Sequence, residues 1–219
     1  MLQIHGVYKS RATRPLWLVE ELAIPFEHVP VIQAYKLSNP LAPDARLNTR
    51  SPSFLAINPM GTIPTMVDGD LVLYESMAIT LYLARKHGGP LAPADLAEDA
   101  LMTQWSLFGA TAIETDALKI SSAAADGRLE TEAGRAEALA VARLLSRPFG
   151  VLEKHLSVND YMVGNRFTVA DINLAEVVRY ASAHTPLFEA HPKVREWLAR
   201  CQARPAFKAM WAKRLAEVE

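Results

Sequence analysis

The run Asn58-Pro59-Met60-Gly61-Thr62-Ile63-Pro64, leading into Thr65-Met66-Val67, carries the first chemical signal in the chain. Proline has no N–H, and a cis bond before Pro64 at the mouth of a strand would turn the Ile63 backbone outward with its N–H and C=O unpaired. Such a pair can grip a peptide. Further along, Glu75-Ser76 opens a helical segment that runs to His87. Main-chain N–H groups and the Ser76 hydroxyl meet at its positive end, a site suited to a carboxylate, and Glu75 can hold an ammonium group beside it. The two together match a free amino-acid head; taken singly, they also fit a helix cap and a favourable first-turn charge. The third signal is Ser10, in Tyr8-Lys9-Ser10-Arg11-Ala12-Thr13-Arg14-Pro15, where a strand ends and a helix is about to begin. A serine there can donate to an anion, helped by the helix end and by Arg11 or Arg14.

These residues need elements to hold them, and composition shows where those lie. Ten of the fourteen prolines precede residue 94, whereas eight alanines fall in residues 1 to 90 and twenty-six in residues 91 to 219. Proline punctuates short elements and alanine fills packed helices, so the first part reads as mixed strand and helix and the second as all helix. Leu2 to Val7 and Glu27 to Val31 read as short strands around an apolar helix, Leu16 to Leu22, that stops before Ile24-Pro25: a βαβ unit. Pro15 fits a helix only in its first turn, so the helix is expected to begin no earlier than about Ala12, with Ser10 on the loop before it. Residues 32 to 53 hold turn formers without a sustained period and predict a long surface loop with a turn of helix. Thr65 to Val67 and Leu71 to Leu73 bracket Asp68-Gly69-Asp70, a hairpin signal. Gly88 is placed as the C-cap of the helix ending at His87, and a linker follows. In the second part, Leu101, Trp105, Phe108 and Ala112, and again Leu145, Phe149, Leu152 and Leu156, recur at helical spacing. Breaks are expected near Ser121 to Gly127 and at Gly164-Asn165. Thr168-Val169-Ala170-Asp171 fits a capping box, and Pro205 opens a last short helix on which Phe207 and Trp211 face the same way.

In order and over the whole chain, these motifs resemble those of the cytosolic glutathione S-transferases, in particular bacterial-type members with a serine turn. The resemblance rests on Asn58 to Pro64, Glu75-Ser76, Ser10-Arg11-Ala12 and the block from Val163 to Asp171. It implies an α/β thioredoxin-like N-terminal domain (βαβ, loop, ββα) over residues 1–87, a linker over 88–94 and an all-α helical bundle domain over 95–219. It implies that Pro64 is cis, that the Ile63 backbone pairs with the cysteinyl part of glutathione, and that Glu75 and Ser76 hold the γ-glutamyl head. Ser10, with Arg11 beside it, would meet the thiol; Tyr8 is the alternative, because some classes use a tyrosine in this region. Lys36, Arg46 and Arg50 are all candidates for the glycyl carboxylate. Members are usually dimers, so a homodimer is expected, with an apolar patch near Met102 and Trp105 as a candidate surface. Glutathione is the co-substrate of a detoxifying transfer to a small, apolar electrophile, which would lie between the domains against the helix carrying Trp105, Phe108 and Thr111. No other cofactor is expected.

The implied chemistry is thiolate formation. A free thiol of pKa near ~8.5 is mostly protonated at neutral pH, and the thiolate is the nucleophile. One hydroxyl donor to that anion is worth about 1.5–3 kcal/mol, enough to lower the thiol by roughly one to two pKa units.

Other classes fit less well. Lys plus Arg number 23 against 24 Asp plus Glu, a net charge of −1, which gives no global field toward nucleic acid or an acidic membrane. A single cysteine, Cys201, excludes an internal disulfide, a Cys-x-x-Cys redox pair and a multi-cysteine zinc site. The six histidines form no metal-binding pattern, so no metal is expected. The N-terminus lacks the features of a signal peptide, and a cytoplasmic protein is expected. Two alternatives stay in view: another glutathione-dependent reaction, such as isomerisation or dehalogenation, and a non-catalytic binding module. The seven Lys or Arg against one acid in residues 193 to 214 give the module some support.

Overall fold

The computed structural model describes residues 1–218. Its contacts divide the chain into two compact units, Met1–His87 with Pro205–Glu219, and Gly88–Arg204.

The first unit runs β1 (Gln3–His5), α1 (Thr13–Leu22), β2 (Glu27–Val29), one tight helical turn (Ala34–Lys36), α2 (Pro52–Leu55), β3 (Thr65–Asp68), β4 (Leu71–Tyr74) and α3 (Ser76–His87). The sheet order is β2-β1-β3-β4, with β1 parallel to β2 and antiparallel to β3. Both strands of the βαβ unit are shorter than their apolar runs. β1 stops because Gly6 takes φ 145, in a region L side chains avoid, and β2 stops ahead of Pro30, which has no N–H to donate. The hairpin turns at Gly69 with φ 61, as its Asp-Gly signal requires. α3 ends on Arg85, Lys86 and His87 and is followed by Gly88 at φ 69.

α1 is buried continuously from Thr13 to Val19, not along one stripe, because α3 packs on it and so does the last helix, Pro205–Ala216. Trp17 meets Phe207 edge-on at 4.9 Å, and Phe207 stacks on Trp211 at 5.4 Å. The shared direction of that aromatic pair thus serves the first unit. The last helix belongs to the first unit by its contacts, a different partition from the one expected from chain order.

The second unit contains α4 (Leu96–Phe108), a wider π-type segment (Gly109–Glu114), α5 (Thr115–Ala125), α6 (Glu132–Leu156), α7 (Val169–Val178), α8 (Thr185–Glu189) and α9 (Pro192–Gln202); the last helix is therefore α10. The spaced apolar residues of 101–112 do not lie on one regular helix, since α4 gives way to the wider turns at Gly109. Every residue of α7 is buried, and its polar side chains are satisfied internally. Asn173 donates to Ser106 Oγ at 2.9 Å, and Arg179 donates to both oxygens of Glu176 at 2.8 and 2.9 Å. Asp171 reaches back to accept from the Thr168 N–H at 2.9 Å, as the capping box predicts. Met102 and Trp105 are buried, Trp105 edge-on to Phe108 and His155. The apolar residues that α4 exposes near them are Leu101 and Leu107.

At the start of α4, Glu98 accepts from Arg166 at 2.8 and 2.6 Å and from the Ala94 N–H at 2.8 Å. The Arg166 guanidinium and that N–H hold the Glu98 carboxyl down at about 2, against its ordinary 4.5. A carboxyl depressed in the folded state stabilises fully above its ordinary value and loses that contribution as pH falls toward the folded value. Acid unfolding followed by circular dichroism is therefore expected to lose on the order of 1 kcal/mol between these limits, after discounting for solvent screening, and Glu98→Gln to flatten that part of the profile.

Candidate active site

Three segments of the first unit converge where the sequence places its chemistry. The Ile63-Pro64 bond is cis. The loop before it is held from inside by Asn58, a buried side chain that donates to the Thr62 carbonyl and to Thr65 Oγ1, both at 2.9 Å, and accepts from the Met60 N–H at 3.0 Å. Asn58 was not expected in this role; the Asx habit of bonding nearby backbone was the available signal.

Gly6 brings the Ser10 turn against this edge. A Cβ on Gly6 would lie 3.0 Å from Ala12 Cβ, 3.4 Å from Ile63 Cβ and 3.7 Å from Pro64 Cα, so any larger residue would push the two segments apart. Ser10 lies on the loop three residues ahead of α1, as Pro15 in the first turn of that helix requires. Its hydroxyl donates to the Val7 carbonyl at 2.6 Å and accepts from the Ala12 N–H at 3.0 Å. A rotation about Cβ–Oγ redirects the proton while the oxygen keeps its Ala12 donor.

Ser76 is buried at the start of α3, and Glu75 beside it is exposed with φ 72. A non-glycine residue in that region is strained, and such strain concentrates at functional sites. Arg14 donates to Ser76 Oγ at 2.8 Å, across 62 positions of sequence and with both side chains buried. The expectation that Arg14 assists an anion near Ser10 is thus corrected: its guanidinium points to the other end of the site. With an Oγ lone pair taken by Arg14, the Ser76 proton remains available to a ligand carboxylate. Arg11 is exposed.

The Tyr8 side chain is buried edge-on against the His28 ring at 4.9 Å. Burial pushes its phenol above the usual value, and the nearby Lys213 ammonium offsets this in part. Lys213 is in turn paired with Glu20. The three basic candidates separate. Lys36 and Arg46 line a cavity of ≈ 190 Å³ together with Val7, Lys9 and Gln33. Arg50 lines a different one with Met60 and Gly61, the residues leading to Ile63; the Thr49 carbonyl sits 2.8 Å from where a Gly61 Cβ would be.

Residues 10–86 match the family described as Glutathione S-transferase, N-terminal domain, and residues 100–205 match Glutathione S-transferase, C-terminal domain. Glutathione S-transferase 3 of Zea mays is 33% identical, over 94% of this chain and 91% of its own length. The chain belongs to the glutathione S-transferase family. A glutathione S-transferase of Hyoscyamus muticus is 31% identical, over 94% of this chain and 95% of its own. The solved structure of a glutathione transferase family member from Pseudomonas fluorescens with two glutathione bound superposes with a TM-score of 0.77, at 26% identity, over 95% of this chain and 91% of that one. In a glutathione S-transferase the mixed four-stranded sheet is the thioredoxin-like half and the helices of 88–204 belong to the helical half. Among the described residues no group of His, Cys, Asp or Glu is placed to hold a metal ion, and no helix is long and apolar enough to cross a membrane.

Proposed function

We propose that this chain joins glutathione through its sulfur to an electrophilic small molecule, as a serine-type transferase. The observation that supports it most is the convergence, in one unit, of the Ser10 turn on the cis Ile63-Pro64 edge at Gly6, with the α3 start tied to α1 through Arg14 and Ser76. The Zea mays and Hyoscyamus muticus relatives are plant proteins, so a bacterial character for the serine turn is no part of this reading.

In this reading the Ile63 backbone pairs with the cysteinyl residue, Glu75 takes the γ-glutamyl ammonium, and Ser76 donates to its carboxylate. Arg50, which shares a wall with Met60 and Gly61, takes the glycyl carboxylate, in preference to Lys36 or Arg46. Ser10 turns its O–H from the Val7 carbonyl to the sulfur and donates a hydrogen bond that favours the thiolate; the thiol proton passes to solvent, and the thiolate forms a C–S bond to the electrophile and expels its leaving group with the bonding pair. Tyr8 stays out of this step because its ring packs against His28 and its hydroxyl lies beside Lys213. The test is a panel of electrophiles assayed with and without glutathione, together with calorimetry of glutathione binding; glutathione that binds without supporting any conjugation would overturn the transferase in favour of a binding module. The homodimer belongs to the same reading, and sedimentation at twice the chain mass is expected.

Arg14 gives this proposal a positioning residue to test. Arg14→Met keeps the buried stem but removes the donor to Ser76. The KM for glutathione is expected to rise about tenfold, the worth of one charge-assisted hydrogen bond, with kcat nearly unchanged.

A further inference from the structure

Just past α10, a carboxylate meets the Ser10 turn. Glu217 Oε1 accepts from the Tyr8 N–H at 2.8 Å, and its Oε2 accepts from the Lys9 N–H at 2.7 Å. Two consecutive main-chain amides that converge on one anion form an anion site, and these two lie directly before Ser10. The cavity of ≈ 190 Å³ alongside is lined by Lys9, Lys36, Arg46 and Gln33 from the same unit, and Glu217 is the one acid in that lining among the described residues. Gln33 Oε1 in that wall is buried without a hydrogen-bond partner.

Glu217 is not needed to dock α10. That helix is already held by Phe207 on Trp17, by Lys213 on Glu20 and by Arg214 on the Tyr8 carbonyl. Glu217 also lies beyond the last helical residue, Ala216, so its side chain can leave the amides without breaking a helical hydrogen bond. The pair of amides is thus an exchangeable carboxylate site, next to the hydroxyl that faces the thiol.

We propose that the Tyr8 and Lys9 amides, with the basic cavity beside them, are the subsite for a carboxylate group on the electrophilic substrate, and that Glu217 is an intramolecular stand-in for that group. This rests on the transferase reading above and adds to it a substrate class, small electrophiles bearing a carboxylate. A bound substrate displaces Glu217 and takes over its two N–H donors, and the Lys36 and Arg46 side of the cavity receives the remaining negative charge.

The test compares a chlorodinitrobenzoate with its methyl ester, at saturating glutathione, in the full chain and in Glu217→Ala and Glu217→Gln. Each rate is divided by the uncatalysed rate with glutathione, which removes the difference in intrinsic reactivity. A stand-in that fills the site about nine-tenths of the time weakens a competitor about tenfold, so Glu217→Ala is expected to lower the KM of the carboxylate about tenfold and leave the ester within about twofold. Glu217→Gln, which preserves the shape of the side chain without its charge, is expected to move the carboxylate's KM in the same direction. Equal responses of acid and ester, or no response of either, would overturn the subsite while ester conjugation by the unmodified chain keeps the transferase reading standing. A fall in the KM of glutathione in place of that of the electrophile would assign the amides to the tripeptide and also overturn the proposal. If the unmodified chain conjugates neither compound, the transferase reading fails, and the subsite with it.

Discussion

Ser10→Ala is expected to return the thiol of bound glutathione to near ~8.5, from a value roughly one to two units lower in the unmodified protein. The sign follows from which form the hydroxyl touches. Ser10 can donate to a thiolate, and donation favours the charged form, so losing the donor must raise the pKa. The thiolate absorbance of the complex, followed against pH, reads this directly. Turnover of a fast electrophile near pH 6.5 is expected to fall about tenfold to a hundredfold, and the two proteins to converge above about pH 9, where the thiol ionises without help. A titration that does not move would remove Ser10 from the role. The substitution also deletes the partner of the Ala12 N–H and the bond to the Val7 carbonyl, so a stability loss of about 1 kcal/mol accompanies it. That loss is independent of pH across this range and cannot imitate a shifted titration.

The largest effect on stability is expected from Asp171→Ala. Its carboxylate is completely buried and accepts from the Thr168 N–H and hydroxyl at 2.9 and 3.1 Å, from the Met162 N–H at 3.1 Å and from Trp197 Nε1 at 2.9 Å. One side chain thereby ties the start of α7 to the preceding loop and to α9. Alanine would leave these donors buried without acceptors and a gap beside Trp197, at a cost of about 3–5 kcal/mol, a large part of a typical domain's stability. Urea unfolding monitored by tryptophan fluorescence would measure it. Asp171→Asn keeps one carbonyl oxygen and is expected to recover part of the loss. A loss below about 1 kcal/mol would mean that water reaches these donors once the carboxylate is gone.

Local patterns carried much of this molecule. The Asp-Gly hairpin, the C-cap at Gly88, the reach of Asp171 to Thr168 and the placement of Ser10 ahead of α1 each depend on residues within a few positions of one another. The backbone constraints behind them act over the same short range. The cis bond before Pro64 belongs here too, because a proline at a strand mouth is where it was expected. Strand ends were less legible: apolar runs continue past the points where Gly6 and Pro30 stop the pairing.

What joins distant segments was decided only by the tertiary structure. An arginine in the sequence shows its charge and length but not its partner, and Arg14 finds Ser76 because α1 and α3 pack side by side. Phe207 and Trp211 display a shared face without showing that α1 is what they cover. Glu217 reads as one more surface acid until α10 lies along α1 and brings it to the Tyr8 and Lys9 amides. Spacing along a chain specifies geometry within a turn or a strand pair, whereas contacts between elements depend on which apolar faces bury one another, a property of the whole unit.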